Sequence, residues 1–344
     1  MHRGFALTDV MKKIHLLFVC LFTAILANAQ QEPLKELDLM LKNYNYPYPV
    51  QYITVHNQQQ ELQMAYMDIK PAGQSGKNIM LLHGKNFNGA YFEKTIRALV
   101  QNGFRVVVPD QIGFGKSTKP HNFQYTFQQL CANTRVLLDT LKISRIAVLG
   151  HSMGGMLATR FALQYPDVTE KLILENPIGL EDWKLKVPYK DVNWWYANEL
   201  KSSYESIKKY QQENYYAGKW NDEFDRWARL LAGWTINENY DEIAWNSALT
   251  YEMIFTQPVL YEFKNISIPT LLIIGTRDKT AVGKPLVPDS LRKTMGNYAA
   301  LGKKTQKEIP GAQLVEIENI GHLPHIESFD LFIKPLLKFL KQGN

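Results

Sequence analysis

The sequence predicts an α/β fold, a mostly parallel sheet flanked by helices, with a helical insertion. Three observations predict it. From Asn78 onward, short continuous apolar runs alternate with helical patterns, the signature of parallel strands covered on both faces. One such run, Ile146 to Leu149, passes through Gly150-His151-Ser152-Met153-Gly154 into a stretch with a helical apolar stripe at Met156, Leu157, Ala158 and Phe161. The strand pattern then lapses between Asn176 and Ile268, a region that holds all seven tryptophans of the chain.

Bulk properties narrow the classes. At 45% hydrophobic and 21% charged, the 344 residues read as a globular chain able to bury a sizeable core. Lys12 and Lys13 precede the apolar run Leu16 to Phe22, and Ala27-Asn28-Ala29 places small residues where a signal peptidase reads them. Residues 1–29 are therefore expected to be a signal peptide, and the protein exported, periplasmic or secreted. The run is short for a transmembrane span and no later stretch approaches the length required, so an uncleaved membrane anchor is the competing reading and no stable membrane association is expected once the peptide is removed. The net charge of +6 includes Arg3, Lys12 and Lys13 against Asp9 in that leader, leaving +4 elsewhere with no basic cluster, which argues against nucleic-acid binding. Cys131 is the one cysteine beyond the leader, in an apolar helical segment, so no internal disulfide is expected.

In chain order, residues 30–49 form a lead-in: Leu34 to Leu41 reads as a short amphipathic helix, followed by the tyrosine- and proline-rich Tyr44 to Pro49. Gln51 to Val55 and Leu62 to Ile69 alternate like half-buried strands, an antiparallel pair at a sheet edge joined through Asn57 to Gln60. The parallel strands are Asn78 to Leu82, Arg105 to Val108, Arg145 to Leu149, Lys171 to Leu174, Thr270 to Ile274 and Gln313 to Ile317. Helical patterns cover Tyr91 to Gln101, Thr126 to Leu141 and Met153 to Tyr165, the last stopped by Pro166. Further helices are expected within Ser290 to Ile309 and from Ser328 onward. The core accordingly spans 50–176 and 269–344, with 177–268 as a helical cap.

Right-handed connections bring the loops after these strands to one rim. On that rim Ser152 sits in a strand-to-helix turn that projects its hydroxyl above the sheet, and the flanking glycines permit so tight a bend. The backbone N–H of Met153 opens the helix, where it and the positive dipole end suit a developing oxyanion. The loop His83-Gly84-Lys85 can bring the Lys85 N–H opposite it as a second donor. A serine hydroxyl needs a base, and the base needs an orienting acid. Asp278 after the Thr270 strand and Glu175 at the end of the Lys171 strand are the candidate acids, with Asp278 favoured by its place past the strand end. His322 in Gly321-His322 and His325 are the candidate bases, with His322 favoured by the preceding glycine and its nearness to the last strand. His56, His83, His121 and His151 read as surface or core histidines, and Asp110 as a structural capping residue.

With the elbow Gly-His-Ser-Met-Gly-Gly, the His83-Gly84 loop and the order Ser, Asp, His on the page, residues 50 to 340 resemble the α/β-hydrolase superfamily. The likeness is nearest to the subset holding epoxide hydrolases, cofactor-free haloperoxidases, carbon–carbon bond hydrolases and small carboxylesterases. The resemblance implies the α/β-hydrolase fold with Ser152 as nucleophile, His322 as general base, Asp278 as its orienter, and the N–H groups of Met153 and Lys85 as oxyanion hole. Two features depart from it. Lys85-Asn86 stands where His-Gly-Gly or His-Gly-x-Pro is usual, and the interval from Asp278 to His322 is long. The serine argues against epoxide hydrolase or dehalogenase chemistry, in which an elbow aspartate forms the covalent ester.

The expected function is an exported serine hydrolase cleaving a small to medium, largely apolar ester or related acyl substrate through an acyl-enzyme. A carbon–carbon bond hydrolase of diketone-type substrates with the same triad is the alternative, and a non-catalytic binding protein on this fold is the alternative from another class. Lys85 at the pocket mouth could favour a substrate carboxylate or equally point to water. The partner is a small-molecule substrate. No metal or organic cofactor is expected, because the chain has neither a His/Cys cluster at ligand spacing nor a phosphate-cradling glycine loop.

Overall fold

The computed structural model describes residues 32–73 and 76–343. The chain divides into two units, residues 1–35 and 36–344. The expected signal peptide lies outside the described residues, and residues 32–35 form neither helix nor strand. No helix among the described residues is long and apolar enough to cross a membrane.

Within the second unit an eight-stranded sheet runs in the order β1-β2-β4-β3-β5-β6-β7-β8. β1 (Gln51–Asn57) and β2 (Gln60–Ile69) form the antiparallel edge hairpin. Its connection is just Gln58-Gln59, both at positive φ (49° and 63°), the conformation a two-residue hairpin turn requires. β2 pairs antiparallel with β4 (Phe104–Pro109), and from there every pairing is parallel, through β3 (Lys77–Leu82), β5 (Ile146–His151), β6 (Thr169–Glu175), β7 (Thr270–Gly275) and β8 (Gln313–Ile317). All residues of β5 and β7 are buried, as expected of strands covered by helices on both faces.

Five helices clothe the sheet: α1 (Glu93–Gln101), α2 (Phe127–Thr140), α3 (Met153–Gln164), and, toward the C-terminus, α9 (Tyr298–Glu308) and α11 (Phe329–Lys341). Thr126 caps α2 by accepting from the Gln129 N–H. Between β6 and β7 the chain inserts α4 (Val192–Glu199), α5 (Tyr204–Asn214), α6 (Asp222–Ala232) and α7 (Tyr240–Thr256). The one-turn helices α8 (Asp289–Arg292) and α10 (Pro324–Glu327) complete the C-terminal part. Trp227 and Leu230 of α6 and Trp234 just beyond it are buried in an apolar cluster with Leu37 and Leu41. Met253 and Phe255 of α7 join the main core, and Phe255 accepts at its carbonyl from the buried Trp183 indole.

One expectation fails. Residues 36–50 contain turns and no helix. The Asp38 carboxylate accepts from the N–H groups of Met40 and Asn43, a local turn that competes with helical bonding, and Leu41 stands at φ 51°. The leucines still bury: Leu37 and Leu41 pack as anchors of an irregular segment rather than as a helical stripe.

Strand order positions the site. After β3 the chain crosses to β4 on one side, and after β5 it crosses to β6 on the other, so the loops leaving β3 and β5 face each other across a crevice at their C-terminal ends. Leu82 is in register with Gly150, which sets the His83-Gly84-Lys85 loop beside the elbow.

Candidate active site

The elbow at Ser152 is a strained turn. Ser152 has φ 57° and ψ −120° between β5 and α3, a combination a non-glycine residue holds only when its surroundings impose it. Those surroundings are close backbone: a Cβ on Gly150 would collide with the Gly154 carbonyl, and one on Gly154 with the Leu82 carbonyl. A Cβ on Gly84 would lie 3.1 Å from that of Ser152, so the loop after β3 rests against the elbow. The Ser152 carbonyl accepts from Gly155 and Ile178, and its N–H donates to the Glu175 carbonyl.

Ser152 Oγ lies 3.0 Å from His322 Nε2, and His322 Nδ1 lies 2.6 Å from Asp278 Oδ2. Ser152, His322 and Asp278 are all buried. Because the carboxylate can only accept, Nδ1 carries the proton and Nε2 presents a lone pair to the hydroxyl. Asp278 is itself held: Asn176 Nδ2 donates to Oδ2 at 2.9 Å and the Thr280 N–H to Oδ1 at 2.8 Å. The orientation of the Asn176 amide is fixed in turn, since its Oδ1 accepts from the Gly275 N–H while its Nδ2 also reaches the Gly275 carbonyl. The arrangement can move the serine proton onto the imidazole while the carboxylate stabilises the charge that forms.

The two rival candidates are joined to each other. Glu175 Oε1 accepts from both the backbone N–H (2.9 Å) and the Nδ1–H (2.8 Å) of His325, and both side chains are buried. Glu175 therefore anchors the segment that follows His322. His151, read from sequence as a core histidine, is fully buried and does more than fill space. Its Nε2–H donates to the His322 carbonyl at 2.8 Å, its Nδ1 accepts from the Tyr91 hydroxyl at 2.9 Å, and the Tyr91 oxygen accepts from the Gly84 N–H at 3.0 Å. A single chain of hydrogen bonds thus connects the loop after β3 to the His322 loop. Burial, reinforced by nearby His322 and His325, drives the His151 pKa well below that of a free imidazole, so the ring is neutral as this relay requires. His83 is also buried and held, at the Gly84 carbonyl and the Gln111 N–H. His121, on the surface, contacts Glu242.

The N–H of Met153 opens α3, where it has no intrahelical acceptor, and among the described residues neither it nor the Lys85 N–H bonds to a protein group. The Lys85 side chain takes neither of the courses left open for it. Its ammonium donates to Ser247 Oγ at 2.6 Å and pairs with Glu199 at 3.4 Å, linking the loop to α7 and α4 rather than standing free for a substrate carboxylate. Asp110 behaves as a structural acceptor for the Gly89 and Lys116 N–H groups and the Tyr46 hydroxyl. Cys131 is buried and free, with its thiol pKa pushed up by burial.

Ser152 opens on a cavity of about 440 Å³, within the range of small-molecule sites. Its aromatic wall comes largely from the insertion: Trp194, Trp195, Tyr210, Tyr215 and Tyr251. Tyr215 stacks on the His322 ring, with centroids 4.8 Å apart. Sequence reasoning missed Asn176, Tyr91 and Tyr215. Each acts through a contact with residues distant in sequence, and none belongs to a local pattern that marks it.

Comparison with known proteins agrees with this architecture. Residues 77–329 match the family model described as alpha/beta hydrolase fold. A crystal structure described as a probable hydrolytic enzyme from Pseudomonas aeruginosa PAO1 superposes with a TM-score of 0.88 at 50% identity, covering 90% of this chain and 99% of that one. Lipase 1 of Psychrobacter immobilis is 26% identical over 263 residues, 74% of each chain. A 2-hydroxy-6-oxononadienedioate/2-hydroxy-6-oxononatrienedioate hydrolase of Burkholderia vietnamiensis is 36% identical over 129 residues, which are 36% of this chain and 43% of that protein. The chain is a hydrolase and belongs to the α/β-hydrolase family.

Proposed function

We propose that the protein is an exported serine hydrolase that cleaves a small to medium ester through an acyl-enzyme on Ser152. The observation that carries this reading is the unbroken hydrogen-bonded chain from Ser152 Oγ through His322 to Asp278, opening on the 440 Å³ cavity. In this mechanism Oγ attacks the ester carbonyl carbon as His322 Nε2 takes its proton. The tetrahedral oxyanion accepts from the N–H groups of Met153 and Lys85, and collapse expels the alcohol, protonated by His322. A water molecule, deprotonated by the same imidazole, then attacks the acyl carbon and releases acid and free serine. The helices inserted between β6 and β7 act as a cap that restricts water and supplies the substrate wall.

The same groups serve a carbon–carbon bond hydrolase, and the partial match to the Burkholderia vietnamiensis enzyme favours keeping that second reading. The test uses a fluorophosphonate probe and p-nitrophenyl esters, alongside vinylogous diketones. The parent is expected to label and to hydrolyse esters. Ser152→Ala is expected not to label and to lose at least about three orders of magnitude in kcat. Equal labelling of parent and variant overturns the nucleophile assignment, and turnover of diketones without esters selects the second reading. Export is tested by the N-terminus of protein recovered outside the cytoplasm, which should begin at Gln30.

A further inference from the structure

The inserted helix α5 turns Ser206, Ile207, Tyr210 and Gln211 to the cavity beside Ser152. Gln211 is anomalous among them. It is 1% exposed, and neither the nitrogen nor the oxygen of its side-chain amide has a hydrogen-bond partner. Its backbone carbonyl is occupied, accepting from the Tyr215 and Tyr216 N–H groups, so only the side chain is bare. An amide brings two donors and one acceptor. Burying these without partners costs about 1–3 kcal/mol per group, and folded proteins rarely tolerate it. Other bare groups, such as Tyr216 Oη and Trp227 Nε1, belong to residues of the packed apolar cluster that do not line this cavity. Thr280, two residues past Asp278, lines the same cavity, and its buried hydroxyl is also unpartnered. Two residues that line the candidate active site therefore carry bare neutral polar groups, buried just behind the cavity surface, so a ligand reaches them only as their side chains turn toward it. The charged residues of the lining, Lys85 and Glu199, face each other as an ion pair.

We propose that Gln211 is a specificity-determining residue whose amide recognises a neutral group offering both a donor and an acceptor, of carboxamide type, on the acyl portion of the substrate. The inference rests on the ester-hydrolase reading and narrows its substrate class. The substrate has an apolar stem, packed by Trp194, Trp195 and Tyr251, and a polar neutral end. A carboxamide can accept from Gln211 Nε2 while donating to Oε1, which satisfies the two orphaned atoms together. A plain alkyl chain leaves both bare, and a ketone satisfies only the donor. A carboxylate is disfavoured because Oε1 has no proton to offer and Lys85 is already paired.

The experiment measures kcat/KM for a homologous series of ω-carboxamide p-nitrophenyl esters, each paired with its methyl-ketone and plain alkyl isosteres. In the parent, a carboxamide ester of the fitting chain length is expected to match or exceed its alkyl isostere despite the cost of desolvating the amide. In Gln211→Met, near-isosteric and apolar, the carboxamide-to-alkyl ratio should fall by about tenfold or more, the ketone falling by less. A parent that prefers every alkyl ester, or a ratio unmoved in Gln211→Met, overturns the proposal. If the variant does not fold, the parent ratios decide alone. If no ester is turned over, the ester reading fails separately. Gln211 is then tested by calorimetric binding of hexanamide and 2-heptanone to Ser152→Ala protein, where tighter binding of the amide supports the inference and equal or weaker binding overturns it.

Discussion

Replacing Asp278 by asparagine isolates the part played by its charge, because shape is kept and every neighbour is fixed. In the parent, Oδ2 receives the His322 Nδ1–H and the Asn176 Nδ2–H, while Oδ1 receives the Thr280 N–H. Both oxygens therefore face donors only. An asparagine has one acceptor oxygen and one NH₂ group, and neither placement suits. With NH₂ at the Oδ1 position it meets the Thr280 N–H. With NH₂ at the Oδ2 position it meets the Asn176 NH₂ and must donate to His322, which forces the imidazole proton onto Nε2 and removes the base from Ser152. Asn176 cannot relieve the conflict by flipping, since its amide is held by both the N–H and the carbonyl of Gly275. One orphaned buried donor costs about 1–3 kcal/mol of stability, and loss of the charge and tautomer costs about three to four orders of magnitude in kcat, or about 4–5.5 kcal/mol of barrier. The assay is p-nitrophenyl ester hydrolysis with kcat and KM determined separately, alongside thermal unfolding. Expected are a collapse of kcat, a KM within a few-fold of the parent and a modest fall in Tm. A folded variant whose kcat stays within about tenfold of the parent refutes the assignment of Asp278 as the orienting charge.

Two further substitutions probe the scaffold. Gly154→Ala forces a Cβ into the Leu82 and His83 carbonyls, which are backbone and cannot turn aside. It should destabilise by about 3 kcal/mol or more and abolish fluorophosphonate labelling, read from thermal unfolding and probe uptake. His151→Gln tests pH dependence. The ordinary imidazole pKa is 6.5 and burial lowers it in the folded protein, so below pH 6.5 the unfolded chain binds a proton the folded one refuses. Stability is unaffected above that pH and falls below it, by at most about 1.4 kcal/mol per pH unit from this group. Denaturant titrations at neutral and mildly acidic pH should show the Gln variant losing less stability on acidification, and equal losses in parent and variant would contradict the buried neutral imidazole.

The fold was legible because its signals are local. Apolar runs marked every strand of the parallel sheet, and the elbow carried strand, turn and helix in one continuous stretch. The choice within the site was less legible. Glu175 and Asp278 both follow strands on the same rim, and His322 and His325 are three residues apart, so spacing alone favours a pairing without fixing it. What separates them is sheet order: β6 lies next to β5, which puts Glu175 beneath the elbow and against His325, while Asp278 leaves β7 toward His322. Asn176 was illegible for a related reason. Its partners Gly275 and Asp278 lie about a hundred residues on and meet it only because β6 and β7 pair. The misread helix at Leu34 to Leu41 shows the converse, an amphipathic spacing outbid by a side-chain turn at Asp38.

These contacts divide the site into two mechanical halves. The segment 321–325 is anchored at four points: the His322 ring by Asp278, the His322 carbonyl by His151, the Gly321 N–H by Glu327, and the His325 N–H by Glu175. Glu327 is in turn paired with Arg277, next to Asp278. His322, the proposed base, is thus positioned before any substrate arrives, as preorganised catalysis requires. The opposite wall, formed by α4, α5 and α7, meets the loop after β3 chiefly through the partly exposed Lys85–Glu199 pair and the Lys85–Ser247 bond. Partly exposed ion pairs contribute little stability, so this wall, apart from Tyr215 stacked on the His322 ring, is free to diverge without disturbing that ring. Changes on the strand side should therefore appear in kcat, and changes along the Trp194 and Gln211 face in KM and in the ranking of substrates.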